Sequence, residues 1–259
     1  MITFLSDFGT RDGYVGSVKG VIKSFSPHIE IIDITHDIEP FNVSMAAYAL
    51  LNYYKRYPPG TVHLAVVDPG VGSARKPLMI QSADYYFVGP DNGLFDYVQQ
   101  REQCKIYEVD STKLPLTLTG QTFHARDVFA PVAARLATGA PIETCGRVRR
   151  KSKPGNRVLW SKKGNTLEIK PITCDHFGNI IFGITRNDLT QWGNKTITQV
   201  RFKSFTSSMI HNFYAEKEVG QPLVLWNSQQ FLEIAINLGC AADYFEVDIN
   251  RDTLILTME

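Results

Sequence analysis

Charged residues stand at the end of an apolar run in the first half of the chain. The run from Val62 to Val67 stops at Asp68, and Arg75 follows seven residues later. Glycines at positions 70 and 72 let the backbone fold back, so the carboxylate and the guanidinium can meet across one loop. A carboxylate and a guanidinium that meet beyond the end of a buried strand can bind a polar ligand through charge-assisted hydrogen bonds. Taken alone, the Asp-Pro-Gly sequence favours an ordinary turn over a functional site.

Other short apolar runs also end on polar residues. In an open α/β sheet, ligands bind beyond the carboxyl ends of the strands. His124 precedes an apolar-periodic segment, so it is predicted to lie at a helix N-terminus among free backbone amides. The polar residues at such positions are Asp7, His36, Asp37, Asp68, Arg75, Asp91, Asn92 and His124, joined in the second half of the chain by the segment Asp175-His176-Phe177-Gly178-Asn179.

The elements that would position these residues alternate regularly. Apolar runs at 2–5, 29–34 and 62–67 are separated by helical patterns at 14–25 and 44–57, the second capped by Ser44. This alternation predicts an α/β domain with a largely parallel sheet. Later runs are rich in β-forming residues and predict a smaller, mostly antiparallel, β-barrel-like or sandwich domain. We expect an α/β catalytic domain at 1–150, a linker at 151–165 and an all-β domain at 166–259.

Composition narrows the functional classes. The chain has 259 residues, 44% of them hydrophobic, and a formal net charge of +1, which is typical of a globular protein and gives no basic footprint for nucleic acid. The four cysteines form no CxxC pair, which favours reduced thiols. No leader-like N-terminus or membrane-length apolar segment is present in the sequence. We therefore expect a cytoplasmic protein with neither a nucleic-acid partner nor a membrane partner.

Several common signatures are missing from the sequence. It contains no GxGxxG after a strand, no GxxxxGK[ST], no HExxH and no GxSxG, so we expect no cofactor. A metal site built from the Asp and His residues is a less favoured alternative, because no local spacing typical of metal ligands supports it.

Five motifs in order carry a resemblance to a known family. They are Ser6-Asp7-Phe8-Gly9, Val67-Asp68-Pro69-Gly70-Val71-Gly72 with Arg75, Gly89-Pro90-Asp91-Asn92-Gly93, Thr122-Phe123-His124-Ala125-Arg126-Asp127 and Asp175-His176-Phe177-Gly178-Asn179. Together they resemble the S-adenosylmethionine (SAM) hydrolases, or SAM hydroxide adenosyltransferases, the water-using relatives of fluorinase and chlorinase. The resemblance covers essentially the whole chain. It implies attack of water or hydroxide on the ribose C5′ of SAM, giving adenosine and L-methionine, without a metal.

The resemblance also implies roles for individual residues. It makes Asp68, Arg75 and His124 catalytic, and it leaves open whether Asp68 or His124 takes the proton. The implied substrate-binding residues are Asp7 at the ribose hydroxyls, Phe41 stacking on a ring, Asp175 and Asn179 at the methionine amino end, and Asn227 and Ser228 near its carboxylate. Gln229 and Ile181 stand where fluorinase has arginine and tryptophan, so the sequence departs from that relative at the methionine end.

The resemblance favours water over halide and implies a particular assembly. Asp68 stands where fluorinase has a tyrosine, and Ala125 where it has a serine, so a carboxylate would repel an approaching anion. The family forms homotrimers whose pockets lie between the N-terminal domain of one subunit and the C-terminal domain of its neighbour. The alternatives are a non-catalytic module that binds adenosine or SAM and, with less support, a metal-dependent hydrolase.

Overall fold

Two units divide the chain, residues 1–156 and residues 157–259. The computed structural model describes residues 1–113, 122–149, 159–190 and 196–259. Most of the predicted linker at 151–165 lies outside these ranges. Within its remainder, Trp160–Lys163 form a strand that pairs with Thr166–Ile169 in the second unit.

A seven-stranded sheet forms the centre of the first unit. Its strands are β1 (Ile2–Ser6), β2 (Ile31–Thr35), β3 (Val62–Val66), β4 (Pro77–Gln81), β5 (Tyr86–Pro90), β6 (Lys105–Val109) and β7 (Gly146–Arg149). They lie in the order β2-β1-β3-β5-β4-β6-β7. The pairs β2-β1, β1-β3 and β3-β5 are parallel, as predicted for this half.

The other half of this sheet corrects the prediction of a largely parallel sheet. The pairs β5-β4, β4-β6 and β6-β7 are antiparallel, so the sheet is mixed. A tight turn joins β4 to β5, and such a connection can only produce antiparallel neighbours, whereas parallel strands need a crossover. Helix α1 (Tyr14–Phe25) connects β1 to β2, and helix α2 (Val43–Tyr53) lies between β2 and β3, where the sequence showed helical periodicity.

The helices of the first unit pack against the sheet through apolar faces. They are α1 (Tyr14–Phe25), α2 (Val43–Tyr53), α3 (Asp96–Arg101) and α4 (Ala130–Ala137), with a π-helical turn at Ala125–Phe129 before α4. The prediction for α1 is confirmed at both ends. Asn42, not Ser44, caps α2 by accepting a hydrogen bond from the Met45 amide, so the N-cap lies two residues earlier than predicted.

Two antiparallel sheets make up the second unit. Its strands are β8 (Trp160–Lys163), β9 (Thr166–Ile169), β10 (Pro171–Cys174), β11 (Ile180–Thr185), β12 (Ile197–Phe202), β13 (Phe205–Ser207), β14 (Pro222–Trp226), β15 (Phe231–Ile236) and β16 (Leu254–Met258), with short helices α5 (Arg186–Thr190) and α6 (Ala241–Tyr244). The sheet orders are β10-β11-β15-β14 and β13-β12-β16-β9-β8.

The two sheets of the second unit share one apolar core, to which both contribute buried Ile, Leu, Val and Phe side chains. Among the described residues both sheets are open, so closure into a barrel stays a prediction. The stretch at 244–256 is rich in apolar residues but does not form one continuous strand, because helix α6 ends at Tyr244 and β16 begins only at Leu254. Within the described ranges, no helix combines the length and apolar character needed to cross a membrane.

Candidate active site

The carboxyl end of β3 brings Asp68 and Arg75 together as the sequence predicted. Arg75 Nε donates a hydrogen bond of 2.8 Å to Asp68 Oδ1, and Arg75 Nη2 donates to Asp68 Oδ2. The two side chains are only 8% and 6% exposed. Gly72, with a φ of 77°, supplies the left-handed backbone by which the loop turns back. The result is a buried, two-point contact between guanidinium and carboxylate.

His124 completes the cluster from the segment before α4. Its Nδ1 lies 3.0 Å from Arg75 Nη2. Because a guanidinium only donates, Nδ1 must be the unprotonated acceptor, and the neutral ring then carries its proton on Nε2. Burial lowers the pKa of His124, and the charge of Arg75 lowers it further. His124 is therefore a neutral donor through Nε2 rather than a base through Nδ1.

The guanidinium of Arg75 packs on an aromatic ring and has one nitrogen whose hydrogen-bond donors have no acceptor among the described residues. Its Cζ lies 5.2 Å from the centroid of the Phe129 ring, within cation–π range. Its Nη1 is buried and has no hydrogen-bond partner among the described residues. A buried N–H without an acceptor costs about 1–3 kcal/mol, so this position favours an oxygen ligand such as water.

Asp7 and Phe41 meet beyond the end of β1. Asp7 Oδ2 accepts a hydrogen bond of 2.9 Å from the Phe41 amide. Burial raises the pKa of Asp7, and the nearby charge of Asp68 acts in the same direction. Phe41 has a φ of 69° and its side chain is 70% exposed, so its ring is free to contact a ligand.

His36, at the end of β2, holds the loop that contains Asp7. Its Nδ1 lies 2.7 Å from Ser6 Oγ, and its carbonyl accepts a 2.8 Å hydrogen bond from the Gly9 amide. On the other side of the ring, Nε2 lies 3.1 Å from Asp33 Oδ1. The loop is therefore fixed at both of its ends by one buried residue.

In the second unit, Asp175 and Asn179 form a closed turn. Asp175 Oδ1 accepts hydrogen bonds from the amides of Phe177 and Asn179, both 2.9 Å, and its Oδ2 accepts one from Asn179 Nδ2. Gly178 has a φ of 81°, and a Cβ there would collide with Cys240. These bonds give Asp175 a structural task in addition to any contact with a ligand.

Asn227 and Ser228 lie on the turn between β14 and β15. Asn227 is buried, and its Oδ1 accepts hydrogen bonds from the amides of Gln229 and Phe231, 3.0 and 3.1 Å. Ser228 is exposed. The hydrogen bonds of Asn227 give it a structural task in this turn.

A cavity of about 580 Å³ opens beside the Asp175 turn. Its lining comprises Asp175, Phe177, Asn179, Tyr214, Ile236, Asn237, Leu238, Gly239 and Cys240. Tyr214 donates a hydrogen bond of 2.8 Å from its hydroxyl to the buried Glu233. Burial raises the pKa of Glu233. The cavity thus combines aromatic and apolar walls with a few polar groups, which is typical of a ligand site.

Sequence reasoning missed several of these residues. Phe129 and Tyr214 carried no signal in the sequence beyond apolar periodicity. His36 was not missed, because it stood out in the sequence as a polar residue at the end of a strand.

In the part of the chain that the structure describes, no group of three or more His, Cys, Asp or Glu side chains is arranged to hold a metal ion.

Comparison with known proteins places the chain in a family. Residues 2–146 match the SAM hydroxide adenosyltransferase N-terminal domain, and residues 170–253 match the C-terminal domain of the same name. The chain therefore belongs to the SAM hydroxide adenosyltransferase family, which confirms the resemblance drawn from the motifs.

Individual relatives support this assignment over almost the full length. The chain is 34% identical over 258 residues to an (R)-S-adenosyl-L-methionine hydrolase from Methanocaldococcus jannaschii, covering 96% of this chain and 92% of the relative. A fluorinase from Actinoplanes sp. is 27% identical over 273 residues, covering 92% and 91%. The crystal structure of an uncharacterized conserved protein from Thermotoga maritima superimposes with a TM-score of 0.84 at 34% identity, covering 99% of this chain and all of that one (100%).

Proposed function

We propose that the protein hydrolyses SAM to adenosine and L-methionine by attack of water on the ribose C5′. The observation that carries the proposal is the buried cluster of Asp68, Arg75 and His124, in which Arg75 Nη1 has no partner among the described residues. Membership of the family and the hydrolase relatives support the same reaction.

The reaction needs little beyond a well-placed nucleophile. A lone pair of the water oxygen forms the bond to C5′, while the C5′–S bond breaks and its electron pair stays on sulfur, which becomes the neutral thioether of methionine. The sulfonium is a good leaving group, so the enzyme must chiefly position water in line. Arg75 Nη1 would hold the water oxygen and stabilise charge as the proton leaves.

The tautomer of His124 bears on the fate of the proton. Because Nδ1 accepts from Arg75, the neutral ring offers only an N–H at Nε2 and has no free lone pair for a proton. Asp68 keeps carboxylate lone pairs beyond its two bonds to Arg75, so it is the favoured first acceptor of the proton, before solvent. In this scheme His124 orients the guanidinium and donates a hydrogen bond toward the water.

Water is favoured over halide by charge. Asp68 places a carboxylate directly beside the guanidinium that an anion would otherwise use, and like charges repel. We expect no halogenated nucleoside when chloride or fluoride is added, as chromatography of the products would show.

The substrate-binding part of the proposal uses both units. Asp7, near Phe41, would accept hydrogen bonds from the ribose hydroxyls, as suits a carboxylate. Asp175 and Asn179 would contact the methionine amino end, with Asn227 and Ser228 near its carboxylate. The Asp175 turn also lines a cavity whose aromatic walls could receive a planar base.

The proposal includes an assembly in which residues from both units meet, namely a homotrimer with pockets at the subunit interfaces. Light scattering would test this oligomeric state. We also propose a cytoplasmic location.

The decisive experiment is a product assay in H₂¹⁸O with and without EDTA. We expect adenosine and methionine in both reactions, with ¹⁸O on adenosine and none on methionine. Arg75→Ala should abolish turnover, whereas Arg147→Ala, which breaks the exposed Arg147–Asp110 pair, should not. Bound but intact SAM would identify a binding module instead, and activity lost in EDTA and restored by a divalent ion would identify a metal-dependent hydrolase.

A further inference from the structure

The loop at residues 67–76, which carries Asp68 and Arg75, joins two strands that are not neighbours. It leaves β3 after Val66 and enters β4 at Pro77, and β5 lies between these two strands. β3 is parallel to β5, whereas β4 is antiparallel to it, with Pro77 opposite Pro90. The loop therefore passes over the carboxyl end of β5.

Two residues that follow β5 hold the two ends of this loop. Asn92 Nδ2 donates a hydrogen bond of 2.8 Å to the carbonyl of Val67, and the Asp91 amide donates one of 2.9 Å to the carbonyl of Lys76. Asn92 Oδ1 accepts a 3.3 Å hydrogen bond from the Leu94 amide, which fixes the side chain on its own turn. The Asp91 contact is made by the main chain alone, so only the Asn92 contact depends on a side chain.

We propose that Asn92 is a positioning residue for the hydrolysis of SAM. The Val67 carbonyl and the Asp68 amide belong to one planar peptide unit, so fixing the carbonyl oxygen fixes the Cα of Asp68. Asp68 in turn holds the Arg75 guanidinium by two hydrogen bonds. The Asn92 amide thereby sets the position at which Arg75 Nη1, which has no partner in the described part of the chain, can donate to water. This inference rests on the proposed function.

The test compares Asn92→Asp and Asn92→Ala with the wild type. Aspartate has the shape of asparagine and keeps the acceptor for Leu94, but it turns an oxygen toward the Val67 carbonyl. Misplacement of about 1 Å costs on the order of 100-fold, so we expect kcat per active site to fall about 10- to 100-fold in both variants, while KM stays within about threefold. Active sites are counted by the calorimetric stoichiometry of adenosine binding, which corrects for unfolded protein.

The control is Asn212→Ala. Asn212 is exposed, and its Nδ2 bonds Glu216 Oε1 at 3.1 Å, so the variant loses an amide contact outside the proposed site and should keep the wild-type kcat. Retention of kcat per site in both Asn92 variants overturns the positioning role while the proposed function stands. A wild type that forms no adenosine overturns the proposed function itself. Asn92→Ser replaces either variant that does not fold.

Discussion

His63 makes the stability of the strand that precedes Asp68 depend on pH. His63 is fully buried on β3, and its Nδ1 lies 2.8 Å from Thr3 Oγ1. Five aromatic rings surround it, and their centroids lie 5.1–6.1 Å from the centroid of the imidazole ring. The rings are those of Tyr53, Tyr54, Tyr57, Tyr85 and Phe87. Burial lowers the pKa of His63 from 6.5 to about 3, because this apolar cage cannot solvate the imidazolium.

The sign of the effect follows from which state binds the proton first. The unfolded chain protonates His63 below pH 6.5, while the folded protein resists until about pH 3. The contribution of His63 to the free energy of unfolding is therefore fully retained above pH 6.5. It falls by about 1.4 kcal/mol per pH unit as the pH drops from 6.5 toward 3. Between pH 8 and pH 5 the loss from this one residue is about 2 kcal/mol.

Urea unfolding of the wild type and His63→Phe at pH 8 and pH 5 measures this loss. Far-UV circular dichroism is the signal, because the unit that contains His63 also contains helices α1 to α4. Phenylalanine keeps a ring in the cage but does not titrate. We expect the free energy of unfolding of the wild type, relative to that of the variant, to drop by about 2 kcal/mol at pH 5, because the other titrating groups cancel in the difference. A difference that is the same at both pH values would refute the reasoning; His63→Asn serves if the larger ring is not tolerated.

Three further predictions concern the site. Activity should fall on the acid side only below pH 6.5, because burial and the charge of Arg75 lower the pKa of His124. Protonation of His124 Nδ1 would remove the acceptor for Arg75. A pH–rate profile in which kcat falls above pH 6.5 on the acid side would contradict this prediction. Phe129→Leu removes the cation–π contact with Arg75. In thermal unfolding the variant should lose about 1 kcal/mol of stability in addition to the loss from poorer packing, and its kcat should fall severalfold. An unchanged kcat would show that this contact has no catalytic effect. His36→Phe should raise KM about tenfold with little change in kcat, because the substitution releases the loop that carries Asp7. Steady-state kinetics would measure both constants, and a fall in kcat instead of a rise in KM would contradict the prediction.

The first unit shows which features local sequence determines. Apolar residues at helical spacing predicted α1 to the residue, since the buried face of a helix repeats along the chain. Strand ends carrying Asp7, Asp68 and His36 were also predictable, because an apolar run that stops at a polar residue marks the edge of a buried sheet. The glycines between Asp68 and Arg75 permitted their contact but did not require it.

Other features depend on contacts between distant segments. Strand direction in the β4-β5-β6 region is set by the connecting turns and by which edge of the sheet is vacant, and composition encodes neither. His124 reaches Arg75 across 49 residues of sequence, so only the family resemblance connected them. The hold of Asn92 on Val67 has the same character, because an asparagine amide bonds a carbonyl wherever folding brings one within reach.

The separation between the sheet and the loops at its edge bears on how such enzymes diversify. Val62–Val66 are buried along their whole length, whereas Asp68 and Arg75 lie beyond the last paired residue of the strand. A change of nucleophile can therefore be made by exchanging loop side chains while the paired residues of β3 are preserved. A fluorinase and a hydrolase can accordingly share the same sheet while differing in the loop that follows β3.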